Sequence, residues 1–225
     1  AAFAIFATLR SHALSRRLGA FWNDVLAAEE TGMSPAYHTP AAFAGAAMLL
    51  RTVAETGWPA LRTGGPSQLS GFPMSAKSLE GRDVATATRV LVSDDALSGL
   101  AALGIATLAG HADRDTVRLV YAPVLGAGQA NAPEGLSLSD QLVLSRLSQL
   151  MQDVMPEILQ AEAPAEVKAE ILARMFTDIA AQMKQPPRFA VAPASDGEGR
   201  PMLDISVELP AGLSVREKLD FKVPC

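Results

Sequence analysis

The feature that most constrains the fold is a change of hydrophobic period at Pro186-Pro187. Before this pair, residues 138–160 and 164–184 repeat apolar side chains every three or four positions, which predicts two helices. The predicted buried stripe of the first is Val143, Leu147, Leu150, Val154 and Ile158, and that of the second is Val167, Ile171, Met175, Ile179 and Met183. After it, apolar and polar side chains alternate, as they do in strands with one buried face. The sequence therefore predicts a helical pair followed by a C-terminal antiparallel sheet. The positions assigned to this sheet are Arg188, Phe189, Val191, Leu203, Ile205, Val207, Leu209, Leu219, Phe221 and Val223.

The first part of the chain opens with two helical patterns. Residues 3–30 return apolar side chains to one face and predict a first helix. A second helix is expected with Thr39 at its N-cap and Pro40 at its first position, and Gly57 should end it. Its predicted buried stripe consists of Phe43, Ala47, Leu50 and Ala54.

Between these helices and residue 136 the pattern changes several times. Glycine, serine and proline are frequent in residues 62–80, which predicts a surface loop. Residues 84–92 alternate as a strand does. A short helix is expected from Ser93 to Gly104, with two more short strands soon after it.

These patterns predict a mixed α/β fold in two parts. Residues 1–135 should hold helices and a small mixed sheet, and residues 136–225 the helical pair and the antiparallel sheet. The chain has 225 residues, of which 49% are apolar and 19% charged, so it can bury a real core.

Charge and cysteine content exclude several classes of protein. The net charge of -5 argues against a protein whose main affinity is for the phosphates of nucleic acid. A single cysteine, Cys225, rules out a disulfide framework and a multi-cysteine zinc site. The apolar start of the chain is too short to span a bilayer, so we expect no membrane insertion and a cytoplasmic location.

Residues that could carry catalysis are few. The sequence has no Gly-x-Ser-x-Gly nucleophile motif and no Walker lysine. His111, Asp113 and Asp115 stand at alternate positions and could offer ligands to a metal ion, but a polar turn between strands yields the same residues. We therefore expect a non-enzymatic protein without a cofactor. A small metal-dependent, hydrolase-like enzyme using these three residues is the alternative.

Three stretches, in order, carry a resemblance to a known family. Residues 41–65 form a small-residue helix that runs into Gly57-Trp58-Pro59 and then Gly64-Gly65. Residues 87–108 read as a strand, an acidic turn, a helix and a second strand. The third stretch is the long helix from residue 138 and the strand entry at residues 188–191. This succession resembles the large subunit of the type VI secretion contractile sheath, in which Gly57, Trp58, Gly64 and Gly65 would form a structural turn.

The resemblance implies a structural role in a large assembly. Such a subunit pairs with a small sheath subunit, stacks with neighbouring copies of itself in a helical polymer around an inner tube protein, and shortens to propel that tube. It also implies that strands of neighbouring small subunits join the C-terminal strands. A non-polymerising baseplate or adaptor paralogue is a further alternative.

The predicted C-terminal sheet agrees with this role. A three-stranded sheet has two edges, and an open edge is a template for another chain's backbone. Replacing Ile205 or Val207 by Lys is expected to abolish co-assembly and to leave the helical body folded.

Overall fold

The computed structural model describes residues 8–32, 34–79, 81–126, 137–214 and 217–225. It confirms a mixed α/β fold. The helices are α1 (Ala41–Thr56), α2 (Asp94–Ala102), α3 (Leu138–Gln160) and α4 (Ala165–Ala181). The strands are β1 (Ala20–Trp22), β2 (Val25–Ala28), β3 (Tyr37–Thr39), β4 (Ser75–Leu79), β5 (Arg82–Thr86), β6 (Ile105–Gly110), β7 (Val117–Leu119), β8 (Arg188–Ser195), β9 (Pro201–Glu208) and β10 (Lys218–Pro224).

The strands form two three-stranded sheets and two hairpins within the described ranges. In the first sheet β6 lies between β1, its parallel partner, and β7, its antiparallel partner. In the C-terminal sheet β9 lies between β8 and β10, and both pairings are antiparallel, as predicted. The pairs β2-β3 and β4-β5 are antiparallel hairpins.

The helix predicted over residues 3–30 is wrong from residue 18 onward, where strands replace it. Residues 8–11 are helical and Ala13–Arg17 form a 3-10 helix, but β1 and β2 follow. Between these strands Asn23 has φ 75°, and its side-chain amide donates to the carbonyl oxygens of Val90 and Leu108. Pairing with a distant strand thus overrides the local helical period. Residues 3–7 lie outside the described residues.

Helix α1 ends where expected, but it buries a different face. Gly57 terminates it in the left-handed conformation, with φ 82°. Pro40, not Thr39, is its N-cap, and the Asp24 carboxylate accepts the Ala41 N–H at 3.2 Å. The predicted stripe is wrong, because it faces solvent. The buried residues are Ala41, Ala44, Gly45, Met48, Thr52 and Thr56.

Close approach to β1 explains this orientation. A Cβ atom at Gly45 would lie 2.5 Å from Cε1 of Phe21, so only a glycine lets the two elements pack this tightly. The buried face therefore consists of small residues and Met48. Phe43 and Leu50 remain exposed, each at 67%.

Residues 62–92 differ from the prediction in two places: a strand replaces part of the predicted loop, and the predicted strand ends early. β4 occupies the end of the predicted loop at residues 62–80, and β5 stops at Thr86 instead of continuing to residue 92. The Val90 N–H donates to the Asn23 side-chain oxygen at 3.1 Å, and this bond takes the place of strand pairing at Val90. Helix α2 begins as predicted, with the Ser93 hydroxyl accepting the Ala96 N–H, and Gly104 follows it with φ 82°.

Two apolar clusters fill the interior. One lies among α1, β6 and β7, and the other lies among α3, α4 and the C-terminal sheet. The predicted stripe of α3 is confirmed, since Val143, Leu147, Leu150, Val154 and Ile158 are all buried. The stripe predicted for α4 is confirmed in part: Met175, Ile179 and Met183 pack against the C-terminal cluster, but Val167 and Ile171 are exposed. Leu172 and Phe176, outside the predicted stripe, are fully buried.

Candidate interaction surface

The inner face of the C-terminal sheet is covered by the chain's own helices. Leu203, Ile205 and Val207 on the central strand have no exposed surface. Phe189 on β8 stacks on Phe176 of α4, with ring centroids 4.5 Å apart. The remaining predicted apolar positions are buried or pack against the same cluster, namely Val191, Leu209, Leu219, Phe221 and Val223.

This burial changes the meaning of the predicted site. The apolar side chains form a core and are unavailable to another subunit, and only Arg188 of the predicted set is exposed. A lysine at Ile205 or Val207 would bury an unpaired ammonium group, which is costly enough to unfold the sheet. Because α3 and α4 share this cluster with the sheet, we instead expect such a variant to destabilise the helical body as well. What the sheet still offers is the backbone of its two edges.

The register shows which backbone groups point away from the sheet. In an antiparallel pair, hydrogen-bonded and non-hydrogen-bonded residue pairs alternate. The Leu209 N–H donates to the Glu217 carbonyl and the Cys225 N–H to the Pro201 carbonyl, so odd-numbered residues of β10 face β9. The even-numbered residues of β10 therefore point their N–H and C=O groups outward.

On β8 the alternation is the reverse of that on β10, and the odd-numbered residues point their backbone groups outward. The Asp196 N–H donates to the Arg200 carbonyl just beyond the strand ends, so even-numbered residues of β8 bond to β9. Phe189 and Val191 thus direct both backbone groups outward, and Pro193 directs only a carbonyl. No described segment forms a backbone hydrogen bond with these groups.

The two edges differ in how they resist pairing. On β10 the outward backbone groups belong to residues with charged side chains, Lys218, Asp220 and Lys222, and such side chains oppose edge-to-edge association. On β8 the solvent-facing side chains after Arg188 are alanines. These are Ala190, Ala192 and Ala194. The β8 edge therefore lacks the row of charged side chains that protects β10, although Pro193 withholds one donor from an added strand.

On the outer face of the sheet, side chains of opposite charge occupy paired positions on neighbouring strands. Glu208 of β9 lies between Arg188 of β8 and Lys218 of β10. Four residues away along β9, Asp204 lies opposite Lys222. Opposite charges directly across strands stabilise a given register, so this face reinforces the pairing that leaves the edges open.

The turn assigned to Gly57, Trp58, Gly64 and Gly65 connects the two apolar clusters. The Trp58 side chain is fully buried in the C-terminal cluster, and its indole Nε1 donates to the Gln185 carbonyl at 2.9 Å. Gly64 has φ 70° and donates its N–H to the Leu119 carbonyl at 2.7 Å. The turn therefore holds the C-terminal helices and sheet against the first cluster, a role that the sequence pattern did not reveal.

The start of α3 secures the loop that leads into β10. Ser137 and Asp140 form a capping box, and the Ser214 hydroxyl donates to the Asp140 carboxylate. The Ser139 hydroxyl donates to the Leu213 carbonyl at 2.7 Å and accepts the Leu61 N–H at 3.1 Å. One helix terminus thus positions both the C-terminal loop and the segment after the turn.

The candidate metal ligands are engaged in holding loops. The Asp113 carboxylate accepts the Ala85 N–H at 2.9 Å, and the Asp115 carboxylate accepts the Gly71 N–H at 2.9 Å. Burial lowers the pKa of His111, and the nearby Arg118 and Arg114 lower it further. Among the described residues no three histidine, cysteine or acidic side chains form a potential metal-binding group.

The sequence interpretation missed one surface altogether, the outer side of α1. Eight residues of this helix are exposed, and seven of them are apolar: Ala42, Phe43, Ala46, Ala47, Leu50, Val53 and Ala54. A surface helix ordinarily turns polar residues to solvent. A sequence signal was present, because the helix is apolar around nearly its whole circumference.

No described helix is both long and apolar enough to cross a lipid bilayer. No protein-family model matches the chain, and no curated protein matches it.

Proposed function

We propose that this chain is a cytoplasmic, non-enzymatic subunit of a contractile type VI secretion sheath. It pairs with a small sheath subunit, which adds a strand to β8, and it stacks with copies of itself around an inner tube protein. The observation that carries the proposal is the open β8 edge, on a sheet whose apolar face is already supported by α3 and α4. The order of the three sequence stretches supports the choice of assembly.

Strand addition at β8 has a strength suited to a joint between moving bodies. An added strand can bond to both backbone groups of Phe189 and Val191 and to the Pro193 carbonyl. At about 1 kcal/mol net for each bond, the ladder contributes about 4–5 kcal/mol before the cost of ordering the added strand. Such a joint connects subunits and lets each folded body rotate as a unit. A contact of this kind is heterologous, and heterologous contacts that do not close propagate as a helix.

The test is co-expression with a candidate small sheath subunit, followed by electron microscopy and size-exclusion chromatography. Val191→Pro removes an outward N–H on β8 and should prevent assembly. Val191→Ala is its control for lost packing. Asp220→Pro removes an outward N–H on β10 and should assemble normally. Thermal melts of each variant establish that the subunit is folded.

Two results would count against the proposal. Wild-type chains that stay separate across a range of salt concentrations would refute the assembly. Normal polymers from folded Val191→Pro, or their loss in Asp220→Pro alone, would refute the assignment of β8 as the acceptor edge.

A further inference from the structure

The outer side of α1 carries a regular alternation of large and small apolar residues. Phe43, Ala47, Leu50 and Ala54 are spaced by four, three and four positions, which is the spacing of a coiled-coil seam. Phe43 and Leu50 are 67% exposed, and the seam lies nearly opposite the face that packs on β1. The helix therefore presents this seam to solvent over about 16 Å of its length.

We propose that this seam pairs with the same seam of a second copy of the chain, with the two α1 helices antiparallel about a two-fold axis. In that arrangement Phe43 lies opposite Ala54 of the other copy, and Leu50 lies opposite Ala47. Every layer then contains one large and one small side chain, so the layers have nearly equal volume. Uniform volume is what dense packing without voids requires.

A parallel pairing lacks this complementarity. It would place Phe43 on Phe43 and Ala47 on Ala47, so overfilled layers would alternate with underfilled ones. The antiparallel arrangement also opposes the two helix dipoles. The seam itself carries no charge.

Charged neighbours of the seam are already engaged within the chain. Arg51 donates to the carbonyl oxygens of Gln68 and Pro66 and lies 3.8 Å from Glu55, which also binds Arg62. At the C-terminal end of the helix, Lys184 reaches the Ala54 carbonyl, and Ala54 remains exposed. The second copy therefore meets no unpaired charge along α1 itself.

The size of the seam sets the expected affinity. A single helix face of this length buries less than the ~800 Å² per partner of a standard interface. The pairing is therefore a weak, closed contact of the free chain. It differs in kind from the open contacts of a helical polymer, and it does not depend on the proposed strand addition.

Sedimentation of the full chain from about 5 to about 500 µM should show a monomer–dimer equilibrium. Leu50→Glu should raise the dissociation constant at least about tenfold, because each dimer would contain two buried glutamates. Tyr37→Glu introduces the same charge at a side chain that is 63% exposed, and it should leave the equilibrium unchanged. Both substitutions are at exposed positions, and circular dichroism checks that the variants are folded.

Cysteine cross-linking in a Cys225→Ser background tests the orientation. Across the proposed two-fold axis the two Ala47 positions are offset along the helix axis by three residue rises, or about 4.5 Å, and the two Ala54 positions by eleven rises, or about 16 Å. Ala47→Cys should therefore form a disulfide-linked dimer, and Ala54→Cys should not.

Either of two results overturns the proposal. One is a chain that stays monomeric throughout this concentration range, as it would if α1 were covered by another part of the chain or by a different protein. The other is equal cross-linking at both positions, which a parallel pairing would give. Neither result depends on the β8 variants, so failure here and failure of the sheath proposal are distinguishable.

Discussion

Tolerance of proline in the C-terminal sheet should depend on which way each amide points. Ala190 of β8 and Asp220 of β10 both lie opposite Ser206 of β9, and both turn their side chains to solvent. The Ala190 N–H points at Ser206, whereas the Asp220 N–H points away from the sheet. The two positions thus differ mainly in the use of one backbone donor.

The expected cost follows from that difference. Ala190→Pro removes a ladder bond, leaves the Ser206 carbonyl without its donor and places a ring against β9, which together should lower the free energy of unfolding by about 3 kcal/mol. Asp220→Pro removes no internal bond, and the exposed contact of Asp220 with Lys218 is worth little. Its effect should stay within about 1 kcal/mol of zero.

Urea unfolding followed by circular dichroism measures both values, with Asp220→Ala as the control for the lost carboxylate. The loss expected at Ala190 is a large part of the ~5–15 kcal/mol that stabilises a typical domain, so it should be easy to resolve. Equal losses at the two positions, or a larger loss for Asp220→Pro, would refute the assignment of outward and inward amides.

Three other outcomes test the packing and the electrostatics. Ile205→Ala should lower the free energy of unfolding by about 2–5 kcal/mol in a urea titration, and a loss below about 1 kcal/mol would contradict its place in the core. Gly45→Ala should lower the free energy of unfolding by about 1–3 kcal/mol, because its Cβ meets Phe21. Gly99→Ala in α2 should raise it by about 0.5–1 kcal/mol, because an added Cβ there has no neighbour within 4 Å. Changes of the same sign in the two variants would argue against the packing of α1 on β1. The backbone N–H and the guanidinium of Arg200 hold the pKa of Asp196 below its ordinary value of 3.8. The ionised carboxylate therefore stabilises the folded chain above that value, and this stabilisation is lost as the pH falls through the lowered pKa. The stability difference between wild type and Asp196→Asn should therefore narrow between about pH 5 and about pH 2, and a widening difference would contradict the pairing.

The sequence predicted an element correctly where its hydrophobic pattern is compatible with only one buried face. Helix α3 has both ends where the sequence places them, because Ser137 and Asp140 cap its start and its apolar stripe is narrow. The C-terminal strands follow from strict alternation, which leaves one choice of inner face. Helix α1 was ambiguous because nearly all of its faces are apolar, and only the approach of Phe21 to Gly45 decides which face is buried.

The candidate surface was predictable in part for the same reason. Alternation identified the strands and showed that the sheet would have open edges. It could not show that α3 and α4 cover the apolar face, since that depends on contacts between distant segments. The burial of Trp58 could not be predicted from local sequence either, because its indole bonds to Gln185, which is distant along the chain. The helix predicted over residues 3–30 failed because β1 finds its partner in β6.

The placement of Trp58 has a consequence for any attempt to divide the chain near residue 135. A fragment beginning there would retain every strand of the C-terminal sheet but would lack the indole that fills the base of its interior. The resulting cavity would be lined by apolar groups and by a Gln185 carbonyl that has lost its donor. The fragment should therefore be less compact and should bind hydrophobic dyes. Supplying the missing ring in trans, on a peptide spanning residues 54–62, should restore its compactness.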